Sequence, residues 1–326
     1  MSDDTDTALL VEGFRRQLAA LVTPAVIREI EDGASPQSLW ASLDETGFVD
    51  AMLPESLDGA GLDLAQAFPL VLAAGEHAVP LPFAETMVAR AMLAQHNVLV
   101  PAGAAIVLAG RSALIPCAGV AGHALLDRDG QLVLVACSAA GSDLFRTRSA
   151  TGIHVGETLA TPAASDDGVL LASAAVAAAL MAGAMTRVME MTLSHASDRQ
   201  QFGRPLGKFQ AIQQQLAVLA EQVLSAQVAA RTAFAGRGFD ATRVAAAKCR
   251  ANEAATSVCN IAHAIHGAIG ATAEFDLQLY TRRIKQWQLA FGSESYWAER
   301  LGRARIAARA DTTADFLRLH LATGSA

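Results

Sequence analysis

The chain has 326 residues, of which 52% are hydrophobic and 17% charged, with a formal net charge of −7. That charge excludes a nucleic-acid partner, since phosphate binding needs a positive footprint, and no run reaches the roughly 18 uninterrupted apolar residues of a membrane span. The opening MSDDTDTALL is acidic where a secretory signal would be basic and then apolar, so the expected location is the cytoplasm.

Residues 1–97 read as helices. Leu9, Phe14, Leu18, Leu21, Val26 and Ile30 mark the first one or two, ending near Gly33 and Pro36. The glycines of LDGAGLDL lack a GxxxxGK[ST] pattern and a preceding strand, so they predict a turn and not a phosphate cradle. Pro80 and Pro82 precede a further helix through Met87, Ala91 and Leu93.

Residues 98–167 change to short apolar runs, AAIVLAG, SALIPCAG, ALLDRDGQLVLVAC and GIHVGE. The turn from Asp127 to Gly130 predicts a hairpin whose second arm carries Val133, Leu134 and Val135. Cys117, Cys137, Cys249 and Cys259 have no CxxC or metal spacing and stand in apolar surroundings, so they read as buried thiols.

Residues 168–326 read as four or five long helices. TPAASDDG offers a polar cap with acids at the start of the first, which continues through Leu180, Met185 and Leu193. Phe209, Ile212, Leu216, Leu219 and Val223 share one face of the next. A third covers Ala245 to Ile265 and is broken at His266 to Gly270; a fourth carries Tyr280, Ile284, Trp287 and Leu289; the last runs from Trp297 to Leu321. The expected fold is mainly α: an N-terminal helical domain, a small reduced β domain and a C-terminal helical bundle.

One stretch reads little like packing: RQQFGRPLGKFQ, Arg199 to Gln210. Gly203, Pro205 and Gly207 force a turn between two helices, presenting the Arg199 guanidinium and the Phe202 ring at the junction. Such a pair suits an anionic ligand with a planar ring. A plain helical hairpin with a solvated tip has the same spacing.

These residues resemble the flavin-contact motif of the acyl-CoA dehydrogenase family. HGAIGATAEFDLQLYTRRIKQWQLAFGSES, His266 to Ser295, resembles the family's glycine-rich turn, following helix and active-site segment. A weaker N-terminal match runs through SPQSLWASLDETGFVDAMLPE and LDGAGLDLAQA. The resemblance implies that Arg199, Gln201, Phe202, Gly203 and Gln210, with Gly267 and Gly270, contact the FAD of a neighbouring subunit. It also implies a general base, but the matching position is Phe291, which cannot take a proton. The alternative base position falls at about Ser173, with Ala174 where an arginine usually stands.

Glu294 and Glu274 are substitute bases in principle, though Glu294 also reads as a first-turn acid of the final helix and Glu274 matches a structural acid of the family. His263 and His266 flank the glycine turn and read as satisfied histidines between helices. Ala264 stands at the family's usual glutamine, and Arg282 matches a helix arginine expected in an ion pair. The segments that hold a subunit's own flavin are missing: no Thr-Glu-Pro-Gly-like segment and no tryptophan strand, the tryptophans being Trp40, Trp287 and Trp297. Only the Gly-Ser-Asp of Ser138 to Phe145 is a partial match.

A retained contact to a neighbour's flavin and a lost base imply the non-catalytic small subunit of a heteromeric acyl-CoA dehydrogenase. The resemblance is to the bacterial α2β2 enzymes acting on steroid side-chain CoA thioesters. Its partners would be a larger catalytic subunit and, within the complex, the acyl-CoA substrate. A self-sufficient homo-oligomer using Glu294 and a purely structural subunit are the alternatives.

Overall fold

A computed structural model describes residues 2–321 apart from 102, 165–166 and 311. Five helices come first: α1 (Ser2–Leu21), α2 (Pro24–Glu31), α3 (Gln37–Glu45), α4 (Leu64–Glu76) and α5 (Phe83–Ala94). Pro24 at the first position of α2 ends the α1 run, because proline suits a helix start and breaks an interior. Phe14 of α1 stacks on Phe83 of α5 with centroids 4.9 Å apart. Before α4, the Gly59 and Gly61 N–H groups bond to the Pro54 and Leu53 carbonyls, so the glycine stretch is a turn whose donors are already used. A capping box follows, in which Gln66 N–H donates to Asp63 Oδ1 (2.8 Å) and Asp63 N–H to Gln66 Oε1 (3.1 Å).

The sheet has the order β1 (Ile106–Leu108), β2 (His123–Arg128), β3 (Gln131–Ala140), β4 (Gly152–Ala164); β1 and β2 are parallel, the rest antiparallel. The expected hairpin is β2–β3, turning through Asp129 and Gly130 at φ 53° and 74°, the left-handed pair that matches strand twist. Alternation splits β3 between two cores: Leu132 and Leu134 join the helices, Val133 and Val135 pack with Ile115 and Cys117 on the other face. SALIPCAG is not a strand, contributing a single bridge from Ile115 to Ala150, whereas β4 continues well beyond GIHVGE.

The C-terminal half contains α6 (Gly168–Asp198), β5 (Gln200–Gln201), β6 (Arg204–Pro205), α7 (Gln210–Ala233), α8 (Ala241–His266), α9 (Leu277–Leu289), α10 (Glu294–Ala307) and α11 (Thr313–His320). By length and composition α6 could cross a membrane, contrary to the count of uninterrupted apolar residues, yet 94% of its apolar window is buried inside the protein. Its neighbours approach closely because a Cβ on Gly183 would lie 2.0 Å from the Leu72 carbonyl oxygen of α4, and one on Gly75 2.2 Å from that of Leu180.

Three expectations are corrected. The Asp167 side chain does not cap α6: the residue adopts φ 60° and pairs with Arg300 (3.2 Å) and Arg111 (3.4 Å), while Ser165 and Asp166 lie outside the described residues. Asp127, near the end of β2, accepts from the Val169 and Leu170 N–H groups at 3.0 and 3.2 Å. The last helix is two, because the chain after Ala307 turns extended at Ala308 and restarts at the Thr312 cap. Cys117 and Cys259 are buried, but Cys137 and Cys249 are only half-buried, on a strand and a helix face open to solvent.

Candidate functional site

At the end of α6 the chain leaves helical geometry at Arg199 (ψ 120°) and folds into a two-residue hairpin, β5 and β6, closed by Phe202 and Gly203 at φ 52° and 79°. A phenylalanine at positive φ costs about 1–3 kcal/mol, which the ladder and a Gln213 Nε2 donor to the Gly207 carbonyl (2.9 Å) help to offset. The backbone is thus held while the side chains are left free. Phe202 is 91% exposed and meets Phe209 edge to face, with Arg204 stacked over the Phe209 ring at 4.1 Å. Arg199, Gln201 and Gln210 are exposed, and the Arg199 guanidinium makes no ion pair or hydrogen bond among the described residues.

The glycine turn after α8 reaches the same end of the bundle. His195, one helical turn before Arg199, stacks on His266 at 4.4 Å, and Phe275 closes the cluster at 5.0 Å from His266. His266 Nδ1–H donates to the Ala262 carbonyl (2.8 Å), leaving Nε2 buried without a partner among the described residues, and burial lowers its pKa below the usual histidine value. His263 is satisfied by Thr281 Oγ1 at 3.1 Å. Gly267 is exposed at φ 65°, ψ −146°, with open space where a Cβ would be. Gly270 is buried, and a Cβ there would lie 2.8 Å from the His266 Cβ, so internal packing already accounts for this glycine.

The segment after α9 is closed. Phe291 is 2% exposed, its N–H donates to Ser112 Oγ (3.1 Å) and its carbonyl accepts from Trp297 Nε1 (2.9 Å). Lys248, fully buried on α8, donates to Asn252 Oδ1 (2.7 Å) and to the Trp287, Gln288 and Gly292 carbonyls (2.9, 3.3 and 3.4 Å). Burial pushes this amine down to about 7. Ser173 is buried and donates to the Val169 carbonyl at 2.6 Å, beside a buried Ala174. Glu294 is an exposed first-turn acid of α10.

These two motifs, brought together at one end of the bundle, match a known pattern along the sequence. Residues 168–306 match the family described as acyl-CoA dehydrogenase, C-terminal domain. Acyl-CoA dehydrogenase IpdE2 of Mycolicibacterium smegmatis is 31% identical over 288 residues, 83% of this chain and 91% of that protein. This chain belongs to the acyl-CoA dehydrogenase family. IpdE2 of Mycobacterium tuberculosis is likewise 31% identical, over 83% of this chain and 89% of its own. The fold is that of the ChsE4–ChsE5 complex from Mycobacterium tuberculosis (TM-score 0.80, 21% identity, 93% of this chain and 98% of that one). It also matches the Tcur3481–Tcur3483 steroid ACAD G363A variant (TM-score 0.82, 24% identity, the same two coverages).

Within this acyl-CoA dehydrogenase fold the other sequence-derived candidates divide. Arg282 makes the expected ion pair, to Glu31 at 2.5 Å, and also donates to the Phe145 and Arg146 carbonyls. Glu274 does not act as a structural acid: it is exposed without an ion pair among the described residues, and Asp276 pairs with Arg28 instead, at 2.5 Å. In the Gly-Ser-Asp segment, burial raises the Asp143 pKa, but hydrogen bonds from Ser149, Thr147 and Arg148 outweigh it and hold the carboxyl below its usual range. The segment is therefore occupied by its own contacts, and Arg282 meets its end at the Phe145 carbonyl.

Two buried groups escaped the sequence reading. Lys248 falls in phase with Val244, Ala251, Ala255 and Val258 on the small-residue stripe of α8, and that phase is the signal that could have marked it. Glu85 lies on α5, which is buried all round, so no phase distinguishes it; burial raises it to about 7.

Proposed function

We propose that this chain is the non-catalytic small subunit of a heteromeric, FAD-dependent acyl-CoA dehydrogenase, and that it lends FAD contacts to a larger catalytic partner. The observation that carries the reading is a contrast. Arg199 and Phe202 stand solvated on a braced hairpin, while the family's base position is a phenylalanine sealed in the core. Exposed apolar residues on α7, Val218, Leu224 and Val228, offer further surface for a partner to cover.

In such an assembly Arg199 would pair with an anionic part of the dinucleotide, Phe202 would offer a ring face, and Gln201, Gln210 and the Gly203 and Gly267 backbones would complete the contact. Bound FAD supplies a hydride acceptor. The α-proton of the thioester has to go to a base on the partner, because Phe291, Ser173 and Ala174 offer none. The names of the similar proteins, a steroid ACAD and the ChsE4–ChsE5 complex, are in line with a steroid acyl-CoA as substrate and with a heteromeric assembly, which we read as α2β2.

The test is to purify the full chain alone and with a co-expressed full-length dehydrogenase partner, then measure bound FAD and turnover of a steroid-CoA. The pair is expected to be yellow and active, the single chain colourless and inactive. Arg199→Ala in the pair should weaken FAD by roughly 1.5–3 kcal/mol, a loss of about 10- to 150-fold. An active single chain would point to Glu294 and reject the proposal; unchanged flavin content with Arg199→Ala would leave a purely structural subunit.

A further inference from the structure

The two edges of the four-stranded sheet differ. The β1 edge is sealed against α5: its three residues are buried, and the Ile106 N–H donates to Thr86 Oγ1 at 2.9 Å. The β4 edge is open. Among the described residues β4 pairs with β3 alone, and every position from His154 to Leu159 is exposed, Val155 and Leu159 to 43% and 40%. An open edge presents a row of unpaired N–H and C=O groups, which is a template for one further strand.

Folded chains blunt such edges with lysines, prolines, bulges or a short strand. At 13 residues β4 is longer than the other strands of its sheet, and it contains no lysine or arginine. Its proline, Pro162, and three register shifts against β3, at Leu132/Leu134, Leu134/Val135 and Val135/Cys137, disturb only its later part. Gly152 to Val155 pair with Ala140 to Cys137 in unbroken register. The unprotected stretch is therefore Gly152 to Val155. Just beyond it stands Glu157, exposed and without an ion pair among the described residues.

We propose that the β4 edge receives an extended segment of the larger subunit, apolar where it meets Val155 and carrying a lysine or arginine beside Glu157. The inference rests on the subunit reading and adds to it a contact on the β domain. In strand addition the main-chain hydrogen bonds supply affinity, and the cross-strand side-chain pairs select the partner. A second copy of this chain fits less well, since β4 laid on β4 brings no lysine or arginine to either Glu157. A helix does not answer the edge either, because its own N–H and C=O groups are already bonded to one another.

The test is hydrogen exchange of the full chain, alone and in the co-purified pair, resolved to single residues by electron-transfer fragmentation. Alone, the outward amides of Gly152 to Glu157 should exchange quickly at alternate positions; in the pair those same amides should slow about tenfold or more. Val155→Lys combined with Glu157→Lys should weaken the pair about tenfold, by removing an apolar and a charged cross-strand contact. Glu157→Lys alone, at an exposed site, serves if the double variant does not fold. A pair that forms with Gly152 to Glu157 exchanging as in the single chain overturns this inference and leaves the subunit reading standing, as does a double variant that binds as tightly as the parent. Slowing without alternation, or slowing already present in a self-associated single chain, assigns the edge to a different cover and also overturns it. If no partner co-purifies, both readings fall.

Discussion

Lys248→Met tests how the Phe291 segment is held. Methionine preserves the length of the side chain, so little cavity is created and the change falls on the Nζ donors, which the four acceptors share. Asn252 Nδ2 still reaches the Gly292 carbonyl at 3.3 Å, which leaves the Trp287 and Gln288 carbonyls without their donor at the end of α9. At about 1–3 kcal/mol for each of these two carbonyls, the loss is roughly 2–6 kcal/mol.

Protonation adds a pH signature of known sign. The folded amine titrates at about 7 because burial disfavours its charge, against an ordinary value of 10.5. Between those values the unfolded chain binds the extra proton, so native stability rises with pH from about 7 to 10.5. The full rise approaches about 5 kcal/mol, at roughly 1.4 kcal/mol per pH unit. Urea unfolding of parent and variant at pH 7, 8, 9 and 10 reads both effects, since all other titrating groups cancel in the difference. The variant should be less stable at every pH, with a gap that widens as pH rises. Parallel pH profiles, or a gap below about 0.5 kcal/mol, would refute this account of Lys248.

Glu31→Gln should lower stability by about 3–5 kcal/mol, because it strips the carboxylate from buried Arg283 (2.7 Å) as well as from Arg282; thermal unfolding of the full chain measures it. Gly270→Ala should cost about 1–3 kcal/mol by pressing a methyl against the His266 Cβ and the Leu277 side chain, and the same melt would show whether the turn gives way instead. Phe202→Ser should leave the melting temperature of the single chain unchanged, since the ring buries almost nothing there. In the co-purified pair it should weaken association or flavin retention about tenfold, and an unaltered pair would show that the ring meets no partner.

What the order of residues determined by itself was local. The helical phases, the hairpin at Asp129–Gly130, the turn that presents Arg199 and Phe202, and the absence of a carboxylate at position 291 all follow from spacing within a few residues. Short-range sterics and hydrogen bonding have no need of distant partners. The tertiary structure decided where polar groups found their complements. Asp127 caps a helix 42 positions later, Glu31 answers Arg282 and Arg283 across more than 250 residues, Lys248 is swallowed by its own bundle, and α6 is sheathed by helices in place of lipid. Such pairings carry no signature in the string, because a buried donor accepts whichever oxygen the packing of apolar faces brings to it.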